Sequence, residues 1–496
     1  MNLQMKSKSI FFKTAPVVFG AMLAFSSCEP TETVVTPPVT PPVAGSKEVV
    51  LSADITGTRN LVKDSTYLLK GEVHVNSGAV INIAAGTVIK GDKLTKASLI
   101  VLQGGKINAI GTATMPIVFT SAMGPGLRSA GDWGGVIVVG KAPVNQSSAT
   151  VEGLVKEVAF GTNVLAANLR DAADNSGTLQ YVRIEFAGIS LIPDKEINGL
   201  TLCAVGSGTT IDHIQVSYCG DDSFEWFGGN VNAKYLIAYL GIDDEFDTDF
   251  GYAGKVQFAL GVRNPRVGDV STSNGFESDN DATGTSATPQ TAPVFSNVTL
   301  IGPWKTPTQS NTSTLFGAGM HIRRNSSLST FNSVFAGWNT GLLLDGTTTL
   351  ANATAGTLAI QNCALVGSKL TGTTTPTVNG AGSVTATQAQ DFFNAVASGN
   401  KIIASNATAK LSANAKDSAG ISSSFYDASK SGVLALPTTF LPATGSTLIA
   451  PNAGAFTHAK LNDAFFDKTA TYMGAFGTTD WTKESWVNFD PQNTVY

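Results

Sequence analysis

The sequence has few cysteines, and this scarcity excludes several classes of protein. Its 496 residues contain four cysteines, of which Cys203, Cys219 and Cys363 lie in the body of the chain. At most one internal disulfide can form among these three, so the fold is not a cysteine-stapled scaffold. No Cys/His set has the spacing of a zinc site. The sequence also lacks a phosphate-binding glycine loop, a nucleophile elbow and a dinucleotide fingerprint, so we expect no bound nucleotide.

Positive charge is scarce. The chain has 32 Lys and Arg residues against 37 Asp and Glu residues. Three of the lysines, Lys6, Lys8 and Lys13, lie in an N-terminal segment that we expect to be removed. Without them, 29 basic residues face 37 acidic ones, and the net charge is −8. This balance argues against nucleic acid or an anionic lipid surface as a binding partner.

Long apolar runs are limited to the N-terminus, where Ala15 to Phe25 follows the three lysines. This run is too short for a permanent membrane-spanning helix. It ends in small residues directly before Cys28, which resembles a bacterial lipoprotein signal. The resemblance implies a signal peptide over residues 1–27 and acylation of Cys28. A cleaved, soluble secreted protein is the alternative.

Residues 28–47 are rich in Pro and Thr and have no periodic apolar face. Such a segment stays extended and would act as a tether between a lipid anchor and a folded domain. Residue 29 is Glu rather than Asp, and the resemblance to lipoproteins then favours the outer membrane. We expect a lipid-anchored protein that faces the periplasm or the cell surface.

Helical patterns are also nearly absent, and the one short helix that we predict lies within Thr387–Ser398. The body of the chain instead repeats short apolar strands between turns. Cys219–Gly229 aligns without a gap on Gly241–Gly251, an offset of 22 residues that is plausible for one coil of a parallel β-helix. Alternation of apolar residues gives each strand an inward and an outward face.

These patterns predict an all-β fold, a single-stranded right-handed parallel β-helix. We assign the β-helix to residues 48–370, an insertion or cap with the short helix to 371–442, and a C-terminal capping segment to 443–496.

Several phrases carry a family resemblance: Gly111–Thr120, Gly131–Ile137, Tyr181–Gly188 and the ending Met473–Phe476. With them, the chain resembles secreted bacterial β-helix lipoproteins of the pectin-lyase-like superfamily. The resemblance implies the fold over nearly all of the mature chain. Because members of this group mostly lack an assigned activity, it implies little about chemistry. The polygalacturonase motif Gly-His-Gly is absent.

The 22-residue register also predicts which side chains point outward. If Phe224 points inward, two adjacent columns of outward side chains follow. The first column is Thr201, Glu225, Asp247, Glu277, His321 and Leu343. The second column is Cys203, Phe227, Asp249, Asp279, Arg323 and Asp345. Adjacent strands lie roughly 4.8 Å apart. Like charges stacked at this spacing disfavour full ionisation, so the carboxylates should bind a cation or share protons.

As a metal site, this stripe offers only oxygen ligands, which suits Ca²⁺. The candidate ligands come from the two columns and from the turns beside them, and they are Asp221, Asp222, Asp243, Asp244, Asp247, Asp249, Glu277 and Asp279.

As a catalytic site, the stripe offers general acids and bases. The candidate catalytic residues are Glu225, Asp247, Glu277 and Asp279, with His321 and Arg323 in support. Carboxylates on adjacent coils suit the separation of about 5 Å in retaining glycosidases, and those two coils apart suit the wider gap of inverting enzymes. A lyase would instead need an arginine or lysine base.

Phe227 and Arg323 are candidate substrate-binding residues, because an outward aromatic ring offers a platform for a sugar. The alternative for Phe227 is that a neighbouring loop covers it. Three functions remain open. We favour binding of an extracellular polysaccharide with help from a divalent cation. The others are a polysaccharide hydrolase or lyase, and a non-catalytic surface scaffold or adhesin with structural calcium.

Overall fold

The computed structural model describes residues 47–192, 195–304, 312–367, 376–404 and 439–496. The expected signal peptide, Cys28 and nearly all of the tether lie outside these residues. In the described residues, short parallel strands form two long sheets, which confirms the predicted all-β parallel β-helix. None of the helices in these ranges is long and apolar enough to cross a membrane.

Sheet 1 has ten strands in the described residues, and each pairs in parallel with the next one along the chain. They are Glu72–Val75, Ser98–Val101, Val136–Val139, Leu200–Val205, Phe224–Gly229, Phe246–Asp249, Phe276–Ser278, Ala318–Ile322, Thr340–Asp345 and Thr377–Ala381.

Sheet 2 has seventeen strands in the same ranges, and its pairings are also parallel. They are Lys47–Leu51, Thr58–Leu61, Ser65–Leu69, Val80–Ile83, Val88–Gly91, Lys106–Ile110, Ile117–Ser121, Gly177–Glu185, Thr210–Ser217, Asn232–Tyr239, Lys255–Val262, Val294–Ile301, Ser329–Phe331, Val334–Ala336, Ile360–Gln361, Ala364–Val366 and Lys401–Ile403.

The core lies between the two sheets and is built from stacked inward side chains. Phe224, Phe246 and Phe276 occupy the same register position on successive coils and are fully buried. The ring centroids of Phe224 and Phe246 are 5.4 Å apart, and those of Phe246 and Phe276 are 5.9 Å apart. Aromatic pairs at this spacing stabilise more than their buried area alone.

The long strands of sheet 2 bend at a residue in the left-handed region. Tyr181, His213, Tyr235, Phe258 and Asn297 have φ between 50° and 63°, and they fall in register. A non-glycine residue in this region costs on the order of 1–3 kcal/mol. Stacking of the first four side chains offsets this cost, because their ring centroids lie 4.4, 4.3 and 4.9 Å apart.

The sheets continue beyond residue 370, where we expected the β-helix to end. Thr377–Ala381 pairs with Thr340–Asp345, and Lys401–Ile403 pairs with Ala364–Val366. The predicted helix lies between these two added strands. The residue periodicity of this helix differs from that of the coils, so the sequence repeat did not reveal the last coil. Residues 405–438 of the expected insertion lie outside the described residues.

Two α-helices occur in the described chain, Thr347–Ala355 and Ala386–Phe393. The second confirms the predicted helix. It begins at a capping box of Thr385 and Gln388, and a short 3₁₀ turn, Val396–Ser398, follows before Gly399. Other short elements are the antiparallel pairs Ala149–Thr150 with Ala159–Phe160 and Ser190–Ile192 with Lys195–Glu196, and the 3₁₀ turns Ala167–Leu169, Ala459–Leu461 and Trp481–Lys483.

The C-terminal segment lies along the outer side of sheet 2, whereas we expected it to cap. The Ala455 amide donates to Asn332 Oδ1 at 2.8 Å, and the Asn488 amide donates to Gln215 Oε1 at 2.9 Å. At its end, the Tyr496 hydroxyl donates to Glu185 Oε1 at 2.6 Å. The segment therefore covers outward aromatic side chains that the coil stack leaves unburied.

We predict that Trp486→Ala destabilises the protein by about 3–5 kcal/mol, because a fully buried aromatic side chain is lost. The Trp486 ring centroid lies 5.3 Å from that of His213 and 6.1 Å from that of Tyr181. Urea unfolding measures the change, with the fully exposed Val396→Ala as the control. Equal unfolding midpoints for the two variants would mean that the segment does not contribute to the stability of the stack.

Candidate functional site

The predicted acidic stripe lies on the outer face of sheet 1, and its register is confirmed. Thr201 pairs with Glu225, Glu225 with Asp247, Asp247 with Glu277, and Glu277 with His321. The alternate residues of these strands, such as Trp226 and Thr248, are fully buried in the core. Period-2 alternation therefore places the four functional candidates of this column on one face.

The second column follows beside the first. Cys203 pairs with Phe227, and Phe227 pairs with Asp249. The next members are joined by contacts, because Arg323 Nε donates to Asp279 Oδ1 at 2.9 Å. The structure thus places the predicted site residues of both columns next to one another.

The turns beside sheet 1 hold further carboxylates in fixed positions. Asp222 Oδ1 accepts a hydrogen bond from the Asp244 amide at 2.8 Å. Asp244 Oδ1 in turn accepts from the amide of Asn274, one coil further on. Asp243 Oδ2 accepts from the Ser271 hydroxyl at 2.6 Å. Each turn carboxylate is therefore oriented by a neighbouring loop or coil.

Carboxylate oxygens from these turns and from the first column lie close enough to share a cation. Three overlapping triads have oxygens within 4.8 Å of one another: Asp221, Asp222 and Asp243; Asp222, Glu225 and Asp247; Asp244, Asp247 and Glu277. We call these seven residues the acidic cluster. Six were predicted as metal ligands, and Glu225 was predicted only as a catalytic residue.

Asp249 and Asp279 are not members of these triads, although both were predicted as metal ligands. Asp279 is held by two cations, since Arg324 Nη1 donates to its Oδ2 at 2.7 Å in addition to the contact from Arg323. Asp249 Oδ1 accepts from the Phe250 amide at 2.6 Å. Neither residue therefore belongs to the acidic cluster.

Burial and mutual repulsion raise the pKa values within the acidic cluster. For Asp247, burial raises the pKa well above its usual range, and the charges of Glu277 and Asp279 add to the rise. Burial acts in the same way on Asp222 and Asp244. Burial also raises the pKa of Asp243 to about 6. Without a cation, these groups would keep their protons to a higher pH than free carboxyls do.

Two oxygens of the cluster mark where a cation would bind. Asp247 Oδ1 and Asp243 Oδ1 are buried and have no hydrogen-bond partner within the described part of the chain. Buried acceptors are normally satisfied, so such oxygens need a ligand or a proton. The donor set is entirely oxygen, as Ca²⁺ prefers. The residues present therefore fit a hard divalent cation.

A network of ion pairs closes one end of the stripe. Arg323 Nη2 donates to Glu277 Oε1, and the Asn274 side-chain amide donates to Glu277 Oε2 at 3.1 Å. His321 lies between two carboxylates, with its Nδ1 3.6 Å from Glu277 Oε2 and its Nε2 3.4 Å from Asp345 Oδ2. Arg323 and His321 are thus engaged by protein carboxylates, as orienting groups would be.

Phe227 is not the exposed sugar platform that we predicted. It is 8% exposed, and its ring packs against Phe250 at 5.2 Å and against Phe160 at 6.2 Å between centroids. Phe160 belongs to the antiparallel pair inserted after sheet-1 strand Val136–Val139. The prediction was wrong because this inserted loop folds over the outward face. Cover by a neighbouring loop was the alternative that we gave for Phe227.

The covering segments also supply residues that sequence reasoning missed. Asn198, 1% exposed, donates its side-chain amide to Glu225 Oε2. Glu152, from the loop between Thr150 and Ala159, lies near enough to raise the pKa of Glu225, after burial itself. Both residues lie in irregular segments, where no repeat assigns them a position. The one sequence signal for Asn274, which lies beside Glu277, is its position two residues before the aligned strand Phe276–Ser278.

The fold and this site define a parallel β-helix protein with an acidic outer sheet face. The chain belongs to the pectate-lyase-like β-helix family, whose model, described as a pectate-lyase like beta helix domain, matches residues 53–412. Among solved structures, the chain is similar to pectate lyase Pel9A, at 13% identity over 88% of this chain and 97% of that chain, with a TM-score of 0.36. Comparison with curated proteins found no match.

We predict that, in EDTA, thermal stability falls as pH rises from about 4 to 8. Unfolded carboxyls titrate near pH 4. Because burial raises the pKa of Asp243 to about 6 and raises that of Asp247 well above its usual range, the folded protein keeps protons that the unfolded chain releases. The stability from these protons is complete below about pH 4 and is lost as pH passes the folded pKa values.

Circular dichroism melting curves at several pH values measure this loss. Asp247→Asn should flatten the decline, because one raised pKa is removed, whereas the exposed Asp391→Asn should leave it unchanged. A decline that is identical in the wild type and in Asp247→Asn would contradict the raised pKa of Asp247.

Proposed function

We propose that the acidic cluster binds a divalent cation and, with it, an acidic extracellular polysaccharide. The observation that carries this proposal is the set of three overlapping carboxylate triads, together with the unpartnered Asp247 Oδ1. Membership in a pectate-lyase-like family supports a polysaccharide ligand. The description of that family names pectate, which is an acidic polysaccharide.

The cation would be held by the cluster. Asp247 would hold it together with Asp222 and Glu225 or with Asp244 and Glu277, since each of these sets has carboxylate oxygens within 4.8 Å of one another. When bound, it would neutralise these carboxylates and offer coordination positions to carboxylate or hydroxyl oxygens of a polysaccharide. Without it, the acidic cluster and the chain's net charge of −5 would repel an acidic polymer at this face.

The exposed end of the stripe is where a polymer would lie. Side-chain exposure rises from 15% at Glu277 and 21% at Arg323 to 31% at Asp345 and 42% at Arg324. By contrast, Glu225 is 5% exposed. The guanidinium of Arg324 has one carboxylate partner, Asp279, and its exposed side can meet a polymer carboxylate. The polymer would therefore cross the coils that carry Glu277, Arg324 and Asp345.

We predict that the full chain binds polygalacturonate or alginate in Ca²⁺ and loses this binding in EDTA. Asp247→Asn combined with Glu277→Gln should weaken binding at least about tenfold, because two shared ligands are lost, and Asp391→Asn should have no effect. Affinity electrophoresis and titration calorimetry measure the binding of the wild type and of the variants. An uncharged glucan is the negative control.

The competing scaffold interpretation gives a different result. Ca²⁺ at 100 times its Kd would then still raise the melting temperature, by roughly 3 °C for a chain of this length, but no polymer would bind. That outcome would overturn the proposed function and leave structural calcium.

Catalysis is a second candidate, favoured by the surroundings of Asp247 and Glu277. Asp247 and Glu277 have carboxylate oxygens within 4.8 Å, burial raises the pKa of Asp247, and Arg323 pairs with Glu277. A carboxyl with a raised pKa next to a second carboxyl is the arrangement of a glycosidase acid and its partner. Arg323, bound to two carboxylates, is poorly placed to act as a lyase base.

Turnover is tested by incubating the protein with the same polymers and measuring new reducing ends and unsaturated products. Reducing ends without unsaturation, abolished by Asp247→Asn, would establish a hydrolase. Products that persist in the Asp247→Asn, Glu277→Gln double variant would mean that this site is not the catalytic one.

We also propose that Cys28 is acylated and anchors the chain to the outer membrane, on the basis of the signal described above. In a bacterial host fed labelled palmitate, the wild type should carry label and sediment with the outer membrane. Cys28→Ser should lose the label and become soluble. Equal labelling of the two proteins would exclude Cys28 as the lipidated residue.

A further inference from the structure

A second candidate site lies on sheet 1, at the far end from the exposed part of the acidic stripe. A cavity of about 330 Å³ opens there, and its lining includes His74, Asn76, Leu102, Gln103, Val139 and Val158. His74 belongs to the same outward column as Glu225, four strands away. Four steps of roughly 4.8 Å put the two side chains about 19 Å apart.

His74 is held in one orientation by a carboxylate. Asp54 Oδ1 lies 2.9 Å from His74 Nδ1 and also accepts a hydrogen bond from the His74 amide at 3.1 Å. A carboxylate at Nδ1 favours the tautomer with the proton on Nδ1. The other ring nitrogen, Nε2, is then a hydrogen-bond acceptor.

That acceptor has no partner. His74 is 2% exposed, and its Nε2 is buried without a hydrogen bond to any described residue. A buried acceptor left unsatisfied is costly, and most such groups in proteins are paired. His74 lines the cavity and Asp54 holds its Nδ1 edge, so a ligand that reached the ring from the cavity would meet Nε2.

The other wall of the cavity comes from the inserted loop. Glu72 fixes this loop to the first coils, because its carboxylate accepts hydrogen bonds from the amides of Val155 and Lys156. Lys156 Nζ also lies 3.9 Å from Asp54 Oδ2. The loop residues are therefore anchored beside His74 by contacts to the same coil.

The lining chemistry fits a sugar. Leu102, Val139 and Val158 give an apolar surface, and the amides of Asn76 and Gln103 add hydrogen-bonding groups. Small-molecule sites commonly combine such an apolar lining with a few polar groups, in volumes from about 300 Å³ upward. A ring with one apolar face and several hydroxyls would use both parts, and one hydroxyl would donate to His74 Nε2.

We infer that this cavity is a binding site for a neutral sugar residue, with His74 Nε2 as the acceptor for one of its hydroxyls. The site goes beyond the proposed function, since it uses no member of the acidic cluster and needs no cation. An amine would also donate to Nε2, but the apolar surface on one side favours a sugar ring.

Histidine-selective NMR of the full chain tests the inference, because the sequence contains four histidines. ¹⁵N shifts of His74 should show the tautomer with the proton on Nδ1. Titration with methyl glucoside, methyl galactoside and methyl mannoside in EDTA should shift the His74 signals for at least one sugar and leave His458 unchanged. Methylammonium should not shift them.

Two variants separate binding from folding. His74→Asn keeps a polar contact toward Asp54 but removes the Nε2 acceptor, so titration calorimetry with the same sugars should show binding weakened about 5- to 10-fold, as expected for one hydrogen bond. Ala159→Leu fills the cavity and leaves His74 intact, so it should abolish the shifts even if His74→Asn folds poorly. His458→Asn is the matched control.

The inference is overturned if none of the three glycosides shifts His74, if methylammonium shifts it and the sugars do not, or if Ala159→Leu leaves sugar binding intact. Because these titrations contain EDTA, a failed cation site at the acidic cluster would not alter their result. Conversely, loss of sugar binding here would leave the polysaccharide assays with Ca²⁺ unaffected.

Discussion

Parallel pairing of one coil on the next is the constraint on which the rest of this structure depends. Residues at the same position of successive coils are stacked about 4.8 Å apart, whatever their chemistry. In the core, this stacks Phe224, Phe246 and Phe276, which is favourable. On the outer face, it stacks Glu225, Asp247 and Glu277, which is unfavourable unless a proton, an arginine or a metal ion intervenes.

The stripe meets that cost differently at its exposed end and in its middle. At the exposed end, Arg323 and Arg324 pair with Glu277 and Asp279. In the middle, no cationic side chain of the described residues contacts Asp247, and its Oδ1 has no hydrogen-bond partner among them. A cation gains the most binding free energy at an uncompensated carboxylate that lies between paired neighbours. The sheet already orients these carboxylates, so they bind without rearrangement.

The sequence predicted what the repeat controls and missed what the insertions control. The 22-residue match between Cys219–Gly229 and Gly241–Gly251 was enough to predict the fold and the register of both columns, including the steps across insertions to Glu277 and His321. Phe227 was misread because its cover is sequence-distant and irregular. Asn198, Glu152 and the Asp54–His74 contact were missed for the same reason, since only three-dimensional folding brings them to the column.

Diffraction from crystals soaked in Mn²⁺ or a lanthanide tests the central claim most directly, because an anomalous signal locates a bound cation without reference to activity. The account predicts a peak among the carboxylates of Asp222, Glu225, Asp244, Asp247 and Glu277, and its loss in Asp247→Asn. A difference map with no peak there, or with the only peak at the Asp279 and Asp345 end, would contradict it.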